Sequence, residues 1–299
     1  MGTGTTLKAY ADLTRIQFFF AWPLLFLSGL FLSFPRYSGF DWLLVGKAAL
    51  IGLLGFEAGF VLNDYVDREY DGRDVEDGMT RYWRPFKERP LPSGRIPPRS
   101  ALALFAIFAA ASAALALTLP HPNSLYVVGI QAYSYAVEAF YQVRKRSQGW
   151  PLAQLLGRTD FTLFPIAGYL VNGSPDAVCL LYAAFFYPFA QSHLGVNDLA
   201  DARNDEARGM KAIPAFYGAR GTALWIFGFT ALHVALTYFF VGAAGRGAAY
   251  GFPLGNSLLL VASLLILRDS RPETALKLLP AWHATMLIYT ASIVAGFFL

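Results

Sequence analysis

Residues 43–71 read LLVGKAALIGLLGFEAGFVLNDYVDREYD, an apolar stretch that runs directly into a cluster of acidic side chains. The stretch is long enough to cross a bilayer as a helix, which takes about 20 apolar residues. The cluster at its end has the pattern Asn-Asp-x-x-Asp-x-x-x-Asp and begins at Asn63. The sequence therefore predicts a membrane-spanning helix that carries carboxylates at one surface of the membrane.

The composition of the whole chain agrees with a membrane protein. Of the 299 residues, 56% are apolar and 16% are aromatic, whereas only 15% are charged, against about 25% in ordinary soluble domains. These values exclude a disordered chain and a typical soluble enzyme. The single cysteine, Cys179, excludes a disulfide framework and a metal site built from cysteines. The net charge of +4 is too small to indicate a nucleic-acid partner.

The pattern of apolar stretches predicts an all-α membrane protein with nine transmembrane helices. Six stretches are free of charged side chains and three carry internal polar groups. The predicted spans are 16–35, 43–62, 101–124, 124–143, 151–171, 177–197, 221–245, 247–267 and 279–299. If the N-terminus lies on the cytoplasmic side, nearly all Lys and Arg residues fall in cytoplasmic loops, as the positive-inside rule requires. We therefore expect a multi-pass protein of the cell membrane with its C-terminus outside and its chemistry at the cytoplasmic face.

The acidic pattern occurs a second time, where the sixth predicted span ends. The stretch from Asn197 to Asp205 again reads Asn-Asp-x-x-Asp-x-x-x-Asp, which suggests two similar halves. Offsets of 0, 3 and 7 lie on one face of an α-helix, so each copy predicts a stripe of three carboxylates. Two facing stripes would suit Mg²⁺, which takes oxygen ligands and commonly joins carboxylates to substrate phosphates.

Basic residues accompany both acidic clusters. Those considered as partners of a phosphorylated substrate are Arg84, Lys87, Arg89, Arg95, Arg144, Lys145, Arg146, Arg203, Arg208 and Lys211. Carboxylates, a divalent metal and Arg or Lys together are what a diphosphate needs. Because the site is predicted at a membrane surface, the rest of the substrate is expected to be apolar. A polyprenyl diphosphate meets both requirements.

These residues resemble the UbiA superfamily of intramembrane prenyltransferases. The resemblance depends on four stretches: 63–71, Arg-Pro-Leu-Pro-Ser-Gly-Arg at 89–95, 141–146, and 198–218 with Gly-Met-Lys-Ala-Ile-Pro at 209–214. The nine-span layout extends it over the whole chain. One departure is the segment 74–83, which precedes Arg84 and Arg89 and makes the loop after the first acidic cluster longer than is usual in that superfamily.

The resemblance implies a single domain, 1–299, in which the helices form a bundle around a central cavity. It implies that two Mg²⁺ ions are held against the diphosphate by Asp64, Asp67, Asp71, Asp198, Asp201 and Asp205, which would also be the catalytic residues. The candidate substrate-binding residues are Asn63, Arg89, Arg95, Tyr141, Lys145, Asn197 and Lys211. The expected activity is Mg²⁺-dependent transfer of a prenyl group from a polyprenyl diphosphate, with release of diphosphate.

The sequence leaves the acceptor open, because the superfamily includes enzymes that act on aromatic acids, quinone precursors, haem and isoprenoid lipids. It also leaves open an intramembrane terpene cyclase on the same scaffold, in which the prenyl chain captures its own cation. A transporter is the alternative from another class of protein. Transporters, however, usually place their site near the middle of the membrane on broken helices, whereas both acidic clusters lie at span ends.

Overall fold

The computed structural model describes residues 3–37 and 39–299, which fold into helices joined by turns and loops, with no strand in that part of the chain. A 3₁₀ turn, Ile16–Phe18, joins the first two of the thirteen α-helices in the described residues. The helices are α1 (Thr3–Leu13), α2 (Ala21–Tyr37), α3 (Trp42–Asp71), α4 (Gly78–Trp83), α5 (Pro98–Leu117), α6 (Asn123–Arg144), α7 (Leu152–Gly157), α8 (Thr159–Leu170), α9 (Ala177–Ala200), α10 (Ala202–Arg208), α11 (Ile213–Phe240), α12 (Ala248–Arg268) and α13 (Pro272–Gly296).

Seven helical segments of the described residues are long and apolar enough to cross a membrane. They are Ile16–Tyr37, Trp42–Asp71, Pro98–Leu117, Ala177–Ala200, Ile213–Phe240, Ala248–Arg268 and Pro272–Gly296. Seven of the nine predicted spans are thus recovered. The predicted fourth span corresponds to α6, which is less apolar because it carries Gln131, Glu138 and Gln142. The predicted fifth span is divided into α7 and α8, since the helix is interrupted at Arg158.

Helix α3 shows how one element reaches both the membrane interior and the site. It begins after Asp41, whose carboxylate accepts hydrogen bonds from the backbone N–H groups of Leu43 and Leu44 at 3.0 and 3.3 Å, a standard N-cap. The helix has 30 residues and is therefore about 45 Å long, against about 30 Å for the hydrocarbon core. Its last turns consequently carry the first acidic cluster beyond the apolar stretch.

Close packing of helices in this fold depends on glycine where backbones meet. Helix α2 approaches α8 so closely that a Cβ atom on Gly29 would lie 1.9 Å from the carbonyl oxygen of Pro165. A Cβ atom on Gly168 would lie 1.9 Å from the carbonyl oxygen of Phe26. Small residues at such crossings are typical of membrane helix pairs, whose association depends on tight packing. The α2–α8 contact places Trp22 and Phe164 on the wall of the cavity described below.

We expect Gly168→Ala to lower the free energy of unfolding by about 1–3 kcal/mol, because the added methyl group forces the backbones of α2 and α8 apart. The measurement is the midpoint of thermal unfolding in detergent. Gly129→Ala on α6 is the matched control, since a Cβ there meets nothing within 4 Å, and its midpoint should be unchanged or slightly raised. Equal midpoints for the two variants would contradict the close approach.

Candidate active site

A cavity of about 260 Å³ lies among the helices at the end where both acidic clusters are found. One side of it is polar and the other is aromatic. The polar side includes five of the six predicted metal ligands, namely Asp67, Asp71, Asp198, Asp201 and Asp205. The aromatic side is formed by Trp22, Phe56, Phe60, Phe161 and Phe164. This arrangement offers a charged head group and an apolar chain adjacent places in one cavity.

Asp64, the sixth predicted ligand, is buried beside the cavity and separated from it. Its two carboxylate oxygens pair with Arg15 at 2.9 Å and with Arg84 at 2.6 Å. The Arg15 guanidinium lines the cavity and lies 4.0 Å from the centre of the Phe60 ring. Asp64 is not a lining residue in the described part of the chain, because the two arginines enclose it. In this arrangement it fixes Arg15 and Arg84 rather than facing the cavity itself.

The other two carboxylates of the first cluster face the cavity and also have cationic partners. Asp67 pairs with Lys145 at 2.7 Å and with Arg146 at 3.2 Å, at the end of α6. Asp71 pairs with Arg89 at 2.6 Å. Burial lowers the pKa of Arg89, but the combined attraction of Asp71, Asp74 and Asp64 outweighs it, and the pKa of Arg89 is raised. Each of these carboxylates is therefore paired with a cation from another element.

The second acidic cluster is not a single helical stripe, contrary to the prediction. Helix α9 ends at Ala200 and α10 begins at Ala202, so Asp201 occupies the joint between them. Asn204 stabilises this joint by donating from its amide to Asp201 at 2.7 Å and to the Glu76 carbonyl at 3.0 Å. Asn204 therefore links the second acidic cluster to the loop that follows the first acidic cluster.

Arg208 connects the two clusters. Its guanidinium donates to Asp74 at 2.6 Å and pairs with Asp201 at 3.2 Å, and it lies 3.6 Å from both Asp71 and Asp205. Burial alone would lower the pKa of Arg208, but these carboxylates, Asp201 first, raise it. Burial, followed by repulsion from Asp201 and Asp198, raises the pKa of Asp205 well above its usual value. The cluster thus holds more carboxylate than this one arginine neutralises.

The structure brings most predicted substrate-binding residues together, but not all. Asn63, Tyr141, Lys145 and Asn197 line the cavity. Arg89 lies beside it, paired with Asp71 and, at 2.9 Å, with Asp74.

Two of the predicted substrate-binding residues, Arg95 and Lys211, do not line the cavity in the described structure. Arg95 pairs with Glu88 at 2.8 Å and is partly exposed. Lys211 is exposed. Its backbone N–H donates to the Lys145 carbonyl at 2.6 Å. In this arrangement neither side chain reaches the cavity.

The long loop after the first acidic cluster contributes to the cavity, which the sequence did not predict. Its helix α4 lies at the cavity, where Met79 and Trp83 are lining residues. The Tyr82 hydroxyl is hydrogen-bonded to the imidazole of His283 on α13, and that imidazole lies 2.9 Å from the imidazole of His193. The insertion relative to the superfamily pattern was visible in the sequence, but nothing in the sequence indicated which helices it would contact.

The carboxylates of the cavity suit a hard divalent cation in their chemistry. No group of three acidic, histidine or cysteine side chains is close enough to hold a metal by itself among residues 3–37 and 39–299. Mg²⁺ commonly keeps several waters and takes one or two carboxylates together with substrate phosphates. The donor set therefore fits a cation that is completed by a phosphorylated ligand rather than one held in a closed protein site.

The chain also matches a known protein family. The UbiA prenyltransferase family matches residues 20–290. The chain belongs to this family. A 4-hydroxybenzoate octaprenyltransferase from Ectopseudomonas mendocina is 31% identical over 54% of the chain, which spans only 50% of that relative. A digeranylgeranylglyceryl phosphate synthase from Thermococcus gammatolerans is 28% identical over 83% of the chain and 82% of that relative.

Solved structures show the same fold. A UbiA homologue from Aeropyrum pernix K1, solved without ligand, superposes with a TM-score of 0.74 and 21% identity, covering 93% of this chain and 97% of that one. A UbiA homologue from Archaeoglobus fulgidus, bound to GPP and Mg²⁺, has a TM-score of 0.66 and 18% identity, covering 96% and 99%. At these identities the likeness concerns the fold, and the UbiA bundle is the fold of this chain.

We expect Arg208→Gln to destabilise the protein by about 3 kcal/mol or more, because removing one partner of a buried ion-pair network leaves carboxylates unpaired. Arg203→Gln on the same helix is the control, since Arg203 is half exposed and bridges Glu76 and Glu273 at the surface, where ion pairs contribute little. Thermal unfolding in detergent, without Mg²⁺ or substrate, separates the two. Similar midpoints would contradict the role of Arg208 as the connecting cation.

Proposed function

We propose that this UbiA family member transfers a prenyl group from a polyprenyl diphosphate to an acceptor within the membrane and releases diphosphate. The observation that carries the proposal is a cavity lined by five aspartates of the two acidic clusters, by Lys145 and by an aromatic wall. Relatives named as prenyltransferases, with aromatic and glyceryl phosphate acceptors, support this assignment. So does the similar fold of a homologue bound to GPP and Mg²⁺.

We assign Mg²⁺ to the carboxylates that face the cavity, with two ions expected. Asp67 and Asp71 would contribute from α3, and Asp198, Asp201 and Asp205 from the end of α9 and from α10. A bound Mg²⁺ supplies positive charge that makes the diphosphate a better leaving group. Asp64 is included in the proposed ligand set only if Arg15 and Arg84 move, because both of its oxygens are paired with them.

The cations that now neutralise the carboxylates are the residues we assign to the diphosphate. Lys145, Arg89 and Arg208 each lie at the cavity or directly beside it and pair with a carboxylate. With Mg²⁺ held by those carboxylates, the same side chains would be free to donate charge-assisted hydrogen bonds to phosphate oxygens. Asn63 and Asn197 line the same cavity, but their amide nitrogens already donate to Glu138 at 2.6 Å and to the His193 carbonyl at 2.9 Å.

The aromatic wall of the cavity can stabilise the carbocation that forms during the reaction. When the bond between the prenyl C1 and the diphosphate oxygen breaks, its electron pair leaves with the diphosphate and an allylic carbocation remains. An aromatic face stabilises a cation by about 2 kcal/mol or more where water is excluded. Tyr141, Phe56 and Phe60 line the cavity and can serve in this way. The acceptor then bonds to C1, and a carboxylate of the cavity takes the proton that the acceptor loses.

We further propose nine membrane spans, with α6 and the broken pair α7–α8 joining the seven clear ones. The N-terminus and both acidic clusters would then lie on the cytoplasmic side and the C-terminus outside. The positive-inside distribution of Lys and Arg supports this orientation.

The test of the proposed activity is Mg²⁺-dependent diphosphate release from geranylgeranyl diphosphate by the protein in lipid nanodiscs. We expect Asp67→Asn to lower kcat by about a hundredfold or more, because the developing charge loses its cation. Glu69→Gln is the control, since Glu69 lies on the same helix between Asp67 and Asp71 but is exposed, and its rate should stay near wild type. An Asp67→Asn variant that folds and turns over normally would contradict the site.

The proposed orientation can be tested with single cysteines, because Cys179 is the only native cysteine. In a Cys179→Ala background, Arg246→Cys should react with a membrane-impermeant maleimide on intact cells, since residue 246 is predicted to lie outside. Glu69→Cys should react only after the cells are permeabilised. Labelling in the reverse pattern would show that the chain is inserted the other way.

A further inference from the structure

Below the acidic clusters, the cavity contains a second polar region that the proposed diphosphate chemistry does not use. Helix α6 contributes Ser134, Glu138 and Gln142, which are spaced four residues apart and all line the cavity. Asp160 lies opposite them on α8. Glu138 precedes Lys145 by seven residues, so it lies two turns, about 10 Å, further along the helix from the cationic end. We call Glu138, Gln142 and Asp160 the polar recess.

The hydrogen bonds of the polar recess fix the direction of its amide groups. One carboxylate oxygen of Glu138 accepts from the Gln142 amide nitrogen at 2.5 Å and from the Asn63 amide nitrogen at 2.6 Å. A carboxylate only accepts hydrogen bonds, so both amides must turn their nitrogens towards it. The Gln142 carbonyl oxygen therefore points elsewhere.

That carbonyl oxygen is the unexplained atom of the recess. Gln142 is only 1% exposed, and its Oε1 atom has no hydrogen-bond partner in the described chain. Buried acceptors without a partner are rare, and each needs an explanation, because desolvation is not compensated. Since Gln142 lines the cavity, a ligand that brings a hydrogen-bond donor into the recess would compensate for it.

The charges around the recess favour a neutral donor over an anion. Glu138 and Asp160 are direct neighbours, and Arg158 is the cation beside them. The Arg158 guanidinium also lies 5.7 Å from the centre of the Tyr141 ring. Two carboxylates against one guanidinium leave the recess without surplus positive charge, so a carboxylate or phosphate group has little to attract it there. A hydroxyl group donates one hydrogen bond and carries no charge.

We propose that the polar recess binds the hydroxyl group of the acceptor substrate through the free carbonyl oxygen of Gln142. The proposal rests on the proposed prenyl transfer, since the recess lies in the same cavity. It identifies the acceptor class as a hydroxyl-bearing molecule whose anionic group, if it has one, points away from the recess. It also makes Gln142 a residue that positions the acceptor and leaves the prenyl diphosphate untouched.

The test compares Gln142→Met with Gln131→Met. Both residues lie on α6, and both have a carbonyl oxygen without a hydrogen-bond partner among residues 3–37 and 39–299. Gln131, however, donates to the Ala109 carbonyl and to the Tyr135 hydroxyl. In the described part of the chain it does not line the cavity. Methionine preserves the length of each side chain and removes its polar atoms, so the two variants share any general cost to the helix.

The assay measures diphosphate release with geranylgeranyl diphosphate and Mg²⁺, using 4-hydroxybenzoate and geranylgeranylglyceryl phosphate in turn as acceptor probes. With the acceptor that supports turnover, we expect Gln142→Met to raise the KM for the acceptor about fivefold, the effect of one lost hydrogen bond. The KM for the prenyl diphosphate should not change. Gln131→Met should leave both values at wild type.

Equal acceptor KM values for the two variants would overturn the proposal, and so would an equal rise in the KM for the prenyl diphosphate. With 4-hydroxybenzoate as substrate, benzoate as a competitor supplies a second readout, because it lacks the hydroxyl group. Gln142→Met should raise the KM for 4-hydroxybenzoate without raising the inhibition constant of benzoate. Wild-type protein that releases no diphosphate with either acceptor would instead contradict the proposed function, which removes the basis of the recess proposal as well.

Discussion

The structure depends on the neutralisation of carboxylates that are held at the ends of membrane-spanning helices. A charged carboxylate taken out of water is costly unless cations and hydrogen bonds compensate for it. Here the cations come from different parts of the chain: the kink after α1, the loop after α3, the end of α6 and the end of α10. The residues concerned are Arg15, Arg84, Arg89, Lys145, Arg146 and Arg208. The ion pairs therefore bring separate elements to one place and define the polar end of the cavity.

The same arrangement prepares the proposed chemistry. A buried ion pair adds little to stability when it is compared with an apolar pair of the same shape, so its value lies in what the charges can do. Lys145 and Arg208 hold the carboxylates of the cavity in position. With a metal bound to those carboxylates, both side chains would be free to donate to phosphate oxygens. The surplus of carboxylate around Asp205, whose pKa is raised, favours binding of a divalent cation. Asp64 differs, because its two arginines hold it away from the cavity.

Much of this site could be predicted from the sequence, because local spacing and membrane depth are sequence properties. The apolar stretches predicted the helical membrane fold. The repeated acidic pattern predicted that Asp67, Asp71 and Asp198 lie close together, and they line one cavity. The break of the second cluster at Asp201 could not be predicted, since it depends on contacts with a distant loop. Arg15 was missed for a similar reason. Its left-handed backbone conformation, with φ of 48°, turns the chain so that the side chain reaches Asp64.

The central claim, that the cavity's carboxylates and cations form a site completed jointly by metal and diphosphate, is tested most directly by calorimetry. Mg²⁺ is titrated into the protein in lipid nanodiscs, with and without a non-hydrolysable thiolo analogue of geranyl diphosphate. The account predicts that each ligand strengthens the binding of the other by the same factor, about tenfold or more, because Mg²⁺ and the analogue exchange partners with the same ion pairs. An affinity for Mg²⁺ that is unaffected by the analogue would contradict it.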